Sequence, residues 1–263
     1  MKLGDLDKTT RQIYEDPGQR FIEGSAQVSP DLGGALRILE KRTLANFPDG
    51  ETLTFLDLGC GAGREMPELQ YIFGGRVVGV DYSNFLLSRA KQLFTTGEIR
   101  FERGEGDDVE VVDATPKAAR PYLETMDQSR LHLAQSDVRV LPFPDELVEA
   151  AQSNCVLLHM GEENARSALE EASRVLKPEG TLLVRYKTPA DSHEFVSEGV
   201  STGVRRDGRK YWYYEPKKMT EMMEDAGFEV VYEKVEPVRE NIEFIATSRF
   251  AVVIGEKDLG LEI

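Results

Sequence analysis

The feature that most constrains the fold is an apolar segment that runs directly into three glycines at alternate positions. Leu53 to Leu58 is followed by Gly59, Gly61 and Gly63, with Arg64 directly behind them. Because glycine has no Cβ, the chain can turn tightly at the end of a strand and lie close to a ligand. A dinucleotide-binding Gly-x-Gly-x-x-Gly turn would need glycine at Arg64, so the spacing favours a different nucleoside ligand.

Short apolar runs alternate with amphipathic stretches, which predicts an α/β fold with a doubly wound sheet. The predicted strands are Leu53 to Leu58, Arg76 to Val80, Leu131 to Ala134, Leu147 to Gln152, Thr181 to Tyr186, Phe228 to Val235 and Phe250 to Gly255. The predicted helices are Leu32 to Ala45, one beginning near Asn84, Glu163 to Val175 and Pro216 to Ala226. A turn at Lys177 to Gly180 is expected to end the third helix.

The length of 263 residues suits one domain with additions, since single domains commonly reach about 250 residues. We divide the chain into an N-terminal helical cap over residues 1–50 and a ligand-binding domain over residues 51–263. The segment 97–130 is charged and breaks the alternation, with helical periodicity only over 116–126, so we treat it as an insertion. This insertion and the segment 188–212 are expected to form a lid over the substrate.

The composition restricts partners and location. A net charge of −15 opposes binding to a nucleic-acid backbone, although an acidic surplus also fits a solubilising or halophilic surface. The 2 cysteines and 3 histidines form no zinc-binding spacing, so no metal is expected. No apolar run approaches the roughly 20 residues that cross a bilayer, and the first residues do not resemble a signal or transit peptide. We therefore expect a cytoplasmic protein that does not contact membranes.

The residues around the glycine turn resemble a known family. Asp57 to Gly63 is similar to the acidic-x-Gly-x-Gly-x-Gly signature of class I S-adenosylmethionine-dependent methyltransferases of the small-molecule type. Later segments resemble the family in the same order: Val77 to Ser83, Ser136 to Phe143, Asn154 to Met160, and Arg174 to Gly180, where the family usually has glycine at the position of Glu179. The resemblance implies a seven-stranded, mostly parallel sheet with an antiparallel last strand.

The resemblance also implies the cofactor S-adenosylmethionine, with S-adenosylhomocysteine as its product. Asp57 would lie near the ammonium, the amides from Gly59 to Gly63 near the carboxylate, and Asp81 would accept both ribose hydroxyls. Asp137 and the Val138 amide would face the adenine. The expected cofactor-binding residues are Asp57, Gly59, Cys60, Gly61, Gly63, Asp81, Tyr82, Ser136, Asp137, Val138, Asn154 and Cys155.

Each of these residues has a structural alternative when taken alone. Asp81 could cap a helix, Asp57 could be a buried hydrogen-bonded carboxylate, and Asp137 could be a turn residue. Cys60 and Cys155 are most simply small buried apolar residues without chemistry. The spacing of the acids around the glycine turn favours the cofactor site.

Methyl transfer from a sulfonium is an in-line displacement, so the enzyme contributes mainly by aligning the two reactants in a dry pocket. A base is needed only if the acceptor loses a proton. His159, which follows the fourth strand, is the best-placed base, and packing of its loop is the alternative role. His132 and His193 have less claim from their positions.

Acceptor specificity is expected in the variable segments. Tyr14, Phe21, Tyr211 and Tyr213 are the candidate lid residues, although the alternation of aromatic residues over 211–214 also fits a packed strand. The basic run 205–210 could meet an anionic substrate or be a solvated loop.

We expect a methyltransferase acting on a small molecule. One alternative is a tRNA or protein methyltransferase, because residues 208–212 resemble a segment of tRNA-modifying relatives. Another is an S-adenosylmethionine- or dinucleotide-binding protein of different activity. Neither the acceptor atom nor the oligomeric state can be predicted from the sequence.

Overall fold

A computed structural model describes residue 14 and residues 33–48, 52–103, 110–117, 119–189, 194–204, 208–236 and 250–257. The predicted residues Phe21 and His193 lie outside this part of the chain. Among the described residues, no helix is long and apolar enough to cross a membrane.

The described helices are α1 (Gly33–Asn46), α2 (Met66–Phe73), α3 (Asn84–Thr96), α4 (Glu162–Val175) and α5 (Pro216–Asp225). The strands are β1 (Thr54–Leu58), β2 (Arg76–Asp81), β3 (Arg100–Arg103), β4 (Glu110–Asp113), β5 (Leu131–Gln135), β6 (Val148–Asn154), β7 (Leu176–Lys187), β8 (Glu194–Ser197), β9 (Val200–Val204), β10 (Lys210–Tyr214), β11 (Phe228–Glu236) and β12 (Phe250–Lys257). The seven predicted strands and the four predicted helices are therefore present, with small differences at the ends.

Seven strands form the main sheet in the order β11-β12-β7-β6-β1-β2-β5. The pairs among β5, β2, β1, β6 and β7 are parallel, whereas β12 runs antiparallel to both β7 and β11. This confirms the predicted doubly wound sheet with an antiparallel last strand. The strand order reverses between β1 and β6, and ligands bind at the carboxyl ends of the strands at such a point.

Apolar side chains cover both faces of the sheet. One face packs against α1, α2 and α3 through residues that include Leu36, Leu39, Met66, Leu69, Ala90 and Leu93. The other packs against α4 and α5 through Leu169, Ala172, Met219, Met222 and Met223. Burial on both faces explains why the central strands are continuous apolar runs rather than alternating ones.

The turn predicted at Lys177 to Gly180 lies within β7 as a bulge. Leu176 and Thr181 pair with β6, but the residues between them do not, so these residues bulge out of the β6–β7 pairing. Glu179 has a φ of 63°, a left-handed conformation that glycine adopts more easily. This explains why the family usually has glycine at this position.

The helical periodicity predicted over 116–126 is wrong. The structure has a β3–β4 hairpin followed by short 3-10 turns at Arg120–Tyr122 and Gln128–Arg130. Pro121 has no amide hydrogen to donate, which opposes a longer α-helix there.

The described part of segment 97–130 lies at the amino-terminal edge of the sheet. The Gln70 side chain bonds the Asp127 backbone at 2.8 Å in both directions, and Arg130 donates to the Gly74 carbonyl at 2.7 Å. Because the segment joins the end of α3 to the start of β5, the topology holds its two ends at this edge. Its expected lid role therefore has no support from these contacts.

Segment 188–212 follows the carboxyl end of β7 and contributes to a second sheet. Strands β8, β9 and β10 form an antiparallel sheet in the order β10-β9-β8, of which the sequence indicated only a possible strand over 211–214. In β10 the alternation is that of a strand, with Tyr211 and Tyr213 in one cluster and Trp212 and Tyr214 in another. This sheet stands at the edge where the glycine turn ends β1.

Candidate cofactor and acceptor site

The glycine turn closes over the end of β2. Gly59 and Cys60 donate their amides to the Val80 carbonyl at 2.7 and 2.9 Å, and Gly61 donates to Asp81 Oδ2 at 2.9 Å. We predicted that these amides face a ligand carboxylate, but in the structure they bond the neighbouring strand instead. Their role is thus to hold the turn beside Asp81.

The three glycines of the turn have left-handed backbones, with φ of 71° at Gly59, 56° at Gly61 and 72° at Gly63. A Cβ on Gly59 would lie 2.3 Å from Val156 Cγ2, and one on Gly63 would lie 2.7 Å from Phe94 Cζ. A Cβ on Gly61 would meet no atom within 4 Å. Gly59 and Gly63 therefore serve close packing, whereas Gly61 borders open space in which a ligand fits against the main chain.

Asp81 lies at the carboxyl end of β2 and is buried. Its Oδ1 accepts the Ser83 amide at 2.8 Å, and its Oδ2 accepts the Gly61 amide. Burial raises the pKa of Asp81 to about 6, although these amides act in the opposite direction. The carboxylate is ionised at neutral pH and retains acceptor capacity for hydroxyl donors.

Asp57 belongs to a polar cluster that includes Glu65, a residue missed by the sequence analysis. The Gln152 amide donates to Asp57 Oδ1 and to Glu65 Oε2, each at 3.0 Å. Asn154 and Arg64 also donate to Glu65, each at 2.6 Å. The cluster thus links β1 and β6 through Glu65, a residue that no sequence pattern connects to these strands.

Burial, followed by the charge of Glu65, raises the pKa of Asp57 to about 7. The buried Gln152 Oε1 and Asn154 Oδ1 have no hydrogen-bond partner among the described residues. Two carboxylates and two amide oxygens at one place suit a cationic ligand group with several N–H donors, such as an ammonium.

The predicted adenine segment follows β5. Arg139 binds both oxygens of Asp137, with Nε to Oδ1 at 2.9 Å and a terminal nitrogen to Oδ2 at 2.6 Å. Ser136 donates its amide to the Asp81 carbonyl at 3.1 Å, which places the segment beside the predicted ribose site. Val138 is buried in the core, and Tyr82 is partly buried.

Two residues of α4 hold the loop after this segment. Glu171 accepts the Leu141 amide at 2.7 Å, and Arg174 donates to the Phe143 carbonyl at 2.9 Å and to Asp145 at 2.6 Å. The loop beside the predicted adenine position is therefore tied to a helix that packs on the sheet.

His159 lies in a 3-10 turn, Leu157–His159, shortly after β6. Its Nε2 is 3.0 Å from Tyr14 Oη, and Arg209 donates to the same hydroxyl at 3.0 Å. The Tyr14 carbonyl accepts from Ser83 Oγ at 2.6 Å, which places Tyr14 close to Asp81. Burial raises the pKa of Tyr14 well above its usual range, so its hydroxyl stays protonated.

Aromatic rings surround His159. The ring centroids of Tyr14 and Tyr211 lie 5.3 and 5.0 Å from that of His159, both edge-on. Tyr213 lies 6.5 Å from Tyr211, in the cluster that Cys155 packs against. The structure thus brings together three of the four predicted lid residues and the predicted base.

The cysteines have no reactive environment. Burial raises the pKa of the thiols of both Cys60 and Cys155. Within the described ranges, no group of three or more His, Cys, Asp or Glu side chains is arranged to hold a metal ion.

Residues 56–184 match the family model of the methyltransferase domain. The chain is a class I S-adenosylmethionine-dependent methyltransferase. The matched range contains the glycine turn, Asp81, the Asp137 segment and His159. S-adenosylmethionine is accordingly the cofactor of this methyltransferase, and the open space at Gly61 with the acceptors beside it fits that molecule.

Several solved structures have the same fold as this methyltransferase. The 1,6-didemethyltoxoflavin-N1-methyltransferase of Burkholderia thailandensis, bound to 1,6-didemethyltoxoflavin and S-adenosylhomocysteine, is 16% identical with a TM-score of 0.59, covering 98% of this chain and 92% of its own. The magnesium protoporphyrin IX methyltransferase of Synechocystis, with bound S-adenosylhomocysteine, is 17% identical with a TM-score of 0.58, covering 97% and 100%. The [4+2]-cyclase SpnF is 17% identical with a TM-score of 0.60, covering 95% and 96%. At such identities the likeness is one of fold, which does not by itself identify an acceptor.

Proposed function

We propose that this methyltransferase acts on a small-molecule acceptor. The observation that carries the proposal is the enclosure of His159 by Tyr14 and Tyr211, which are both buried. Tyr14 and the β10 side chain of Tyr211 therefore cover the edge of the sheet beside Asp81. A covered site suits a small molecule better than a macromolecule.

Charge and the structural neighbours support the same proposal. The net charge of −15 opposes a nucleic-acid substrate. Two neighbours carry the names of small acceptors, a didemethyltoxoflavin and magnesium protoporphyrin IX. A cytoplasmic location is also part of the proposal, and it rests on composition alone.

We propose that the cofactor is bound by the residues expected from the sequence, together with Glu65. Asp57 and Glu65 would hold the ammonium, Asp81 the ribose hydroxyls, and Gly61 would leave room for the ligand. Asp137 and Val138 would meet the adenine, with Arg139 orienting the Asp137 carboxylate. The other members are Gly59, Cys60, Gly63, Tyr82, Ser136, Asn154 and Cys155.

We propose that the lid consists of the N-terminal cap, residues 1–50, and segment 188–212. Tyr14, Tyr211 and Tyr213 support this assignment because they cluster at the carboxyl edge of the sheet. Phe21 remains a prediction. Segment 97–130 is left out of the lid because its described contacts are at the opposite edge.

S-adenosylmethionine, when bound, supplies an electrophilic methyl group on a sulfonium. Arg209 can only donate to Tyr14 Oη, so the hydroxyl proton of Tyr14 is directed at His159 Nε2 and the imidazole proton is assigned to Nδ1. The acceptor's proton then passes to Tyr14 Oη while the Tyr14 proton passes to His159 Nε2. With the cofactor bound, the acceptor's lone pair would take the methyl group, and the electron pair of the broken carbon–sulfur bond would stay on sulfur.

The test follows labelled methyl groups from S-adenosylmethionine into three fractions of a cell extract: small molecules, protein and RNA. We expect label in the small-molecule fraction. Label only in RNA, together with tRNA binding that weakens with salt, would identify a tRNA methyltransferase instead. Label only in protein would favour a protein methyltransferase, and binding of NAD but not S-adenosylhomocysteine would indicate a different activity.

A further inference from the structure

Ser83 directly precedes α3 and connects three parts of the protein. Its amide donates to Asp81 Oδ1 at 2.8 Å, and its hydroxyl oxygen accepts the Leu86 amide at 3.2 Å. The same hydroxyl donates its proton to the Tyr14 carbonyl at 2.6 Å. One buried residue therefore joins the proposed ribose site, the first turn of α3 and the residue proposed to relay the acceptor's proton.

The cap of α3 alone does not require a hydroxyl at this position. An N-cap side chain needs an oxygen that accepts an amide of the first helical turn, and serine, aspartate and asparagine do this about equally well. The bond to the Tyr14 carbonyl also requires a donor, which a hydroxyl has and a carboxylate lacks. Ser83 is fully buried, so water does not compete for either bond. The hydroxyl thus serves both the cap and the attachment of Tyr14.

Tyr14 is held at both ends. Its main chain is bound by Ser83, whereas its hydroxyl lies 3.0 Å from His159 Nε2 and accepts from Arg209 at 3.0 Å. A tyrosine side chain turns about two torsions, so contacts at the hydroxyl do not by themselves fix the main chain. A fixed main chain places the buried ring, which meets the Tyr82 ring edge-on at 6.4 Å between centroids.

The bond from Ser83 also sets the position of Tyr14 relative to the cofactor. Asp81, which is proposed to accept the ribose hydroxyls, lies two residues before Ser83 and accepts its amide. The ribose and the relaying hydroxyl are therefore positioned by the same turn of main chain. In-line methyl transfer requires alignment of the two reactants, and a displacement of about 1 Å can lower the rate by about 100-fold.

We propose that Ser83 is a positioning residue for methyl transfer: its hydroxyl holds the main chain at Tyr14, so that the Tyr14 hydroxyl faces the acceptor at a fixed distance from the bound cofactor. This inference rests on the proposed function, in which Tyr14 relays the acceptor's proton. Ser83 does not touch the reacting atoms and acts only through Tyr14. Its effect on turnover therefore disappears when residue 14 cannot relay a proton.

Three variants separate the bond to Tyr14 from the stability of α3. Ser83→Gly removes the hydroxyl, keeps the amide that Asp81 accepts, and introduces a residue that is only slightly poorer at an N-cap. Ser83→Thr retains a hydroxyl that can both cap and donate. Ser88→Gly is the matched control, because Ser88 is an exposed residue of the same helix whose hydroxyl bonds the Phe85 carbonyl. Glycine there weakens α3 and leaves the Ser83 hydroxyl in place.

The first test measures access to Tyr14 and needs no acceptor. Nitration with tetranitromethane, followed by mass spectrometry of peptides, reports on each tyrosine separately. Tyr14 is 7% exposed and should react slowly in the native protein and in Ser88→Gly. Ser83→Gly should nitrate Tyr14 about 2- to 10-fold faster, the range for one lost neutral hydrogen bond. Tyr71, which is 65% exposed, is the internal standard. Equal protection of Tyr14 in Ser83→Gly and in the native protein would overturn the inference.

The second test uses whichever extract fraction accepts the labelled methyl group. Ser83→Gly should lower kcat by about tenfold or more, because the relaying hydroxyl is displaced. The affinity for S-adenosylhomocysteine should stay unchanged, which also shows that the variant is folded. Ser83→Thr should restore most of the rate, and Ser88→Gly should retain it. In a Tyr14→Phe background, Ser83→Gly should cause little further loss, because both changes act through the same group.

Other outcomes contradict the inference in distinguishable ways. Additive losses in the double variant would show that Ser83 stabilises the fold rather than placing Tyr14. Equal losses in Ser83→Gly and Ser88→Gly would assign the effect to α3. A slow Tyr14→Phe with a fully active Ser83→Gly would remove this inference alone. If Tyr14→Phe turns over as the native enzyme does, the proposed relay fails and the inference fails with it.

Discussion

Tyr14 Oη and His159 Nε2 lie 3.0 Å apart, although 145 positions separate them in the sequence. The contact joins Tyr14 to the turn after β6, at the edge of the sheet where β1 and β2 end. It places a protonated tyrosine hydroxyl between Arg209 and the proposed base.

His159→Gln should lower kcat by about 100-fold or more, because general acid–base catalysis commonly contributes that much. Tyr14→Phe should lower kcat as well, since it removes the hydroxyl that relays the proton. Both are measured at saturating S-adenosylmethionine, whose affinity should change little. His132→Gln, on the exposed surface of β5, is the control. Equal turnover in His159→Gln and the native enzyme would show that no base acts at this position.

Asp81→Asn should weaken S-adenosylhomocysteine binding by about 10- to 100-fold, because hydrogen bonds to a charged group are lost at the ribose. Asp127→Asn is a close control: Asp127 accepts the amide two residues ahead at 3.0 Å, as Asp81 does, but lies at the other edge of the sheet. Calorimetry measures both variants. If both bind the ligand as the native protein does, Asp81 only caps its own turn.

Comparing Gly61→Ala with Gly74→Ala distinguishes the loss of ligand binding caused by a Cβ at the site from the loss of stability caused by backbone strain. Both glycines have left-handed φ, 56° and 63°, and at both a Cβ would meet no protein atom within 4 Å. Each substitution should lower the free energy of unfolding by about 1–2 kcal/mol. Only Gly61→Ala should weaken S-adenosylhomocysteine binding, by about tenfold or more. Equal affinities in the two variants would place the ligand away from the turn.

Asp57 should make the protein without cofactor less stable as pH rises. Its pKa is about 7 in the folded protein and about 4 in an unfolded chain. The folded state therefore holds the extra proton between these values, and the free energy of unfolding decreases across this window as pH increases. Denaturant titrations at several pH values measure this slope.

Asp57→Asn should flatten that slope and stabilise the ligand-free protein above pH 7, while weakening binding of the cofactor's ammonium. The carboxamide oxygen of the new side chain can keep accepting from Gln152 Nε2, which also donates to Glu65. Asp145→Asn, on an exposed side chain, should leave the slope unchanged. Because Asp81, with a pKa of about 6, contributes a slope of the same sign at lower pH, the test is the slope between pH 6 and 7: if it persists in Asp57→Asn, groups other than Asp57 cause it.

Local patterns predicted the framework well. Strands, amphipathic helices and the Gly59–Gly63 turn can each be recognised from a few neighbouring residues. All seven strands of the main sheet were therefore predicted from the sequence. The 116–126 periodicity failed because an interior proline outweighed it. Of the sheet in segment 188–212, the sequence indicated only the alternation over 211–214, because strands of four or five residues leave little pattern.

The site itself was only partly predictable. Asp57 and Asp81 lie at the carboxyl ends of β1 and β2, so the parallel pairing of these strands brings them to one edge. Glu65 gave no such signal, because its partners Gln152 and Asn154 come from β6. The described part of segment 97–130 lies at the amino-terminal edge of the sheet because α3 runs back across the sheet before it. This position follows from the topology and could not be read from the segment itself.

By itself the sequence determined the seven strands of the main sheet, the turn at Gly61 and the methyltransferase resemblance, since these depend on neighbouring residues. Only the tertiary structure decided that Tyr14, His159 and Arg209 meet around Tyr211. Contacts between distant residues depend on which strands pair and which faces are buried, and those are set by packing of the whole chain rather than by any one segment.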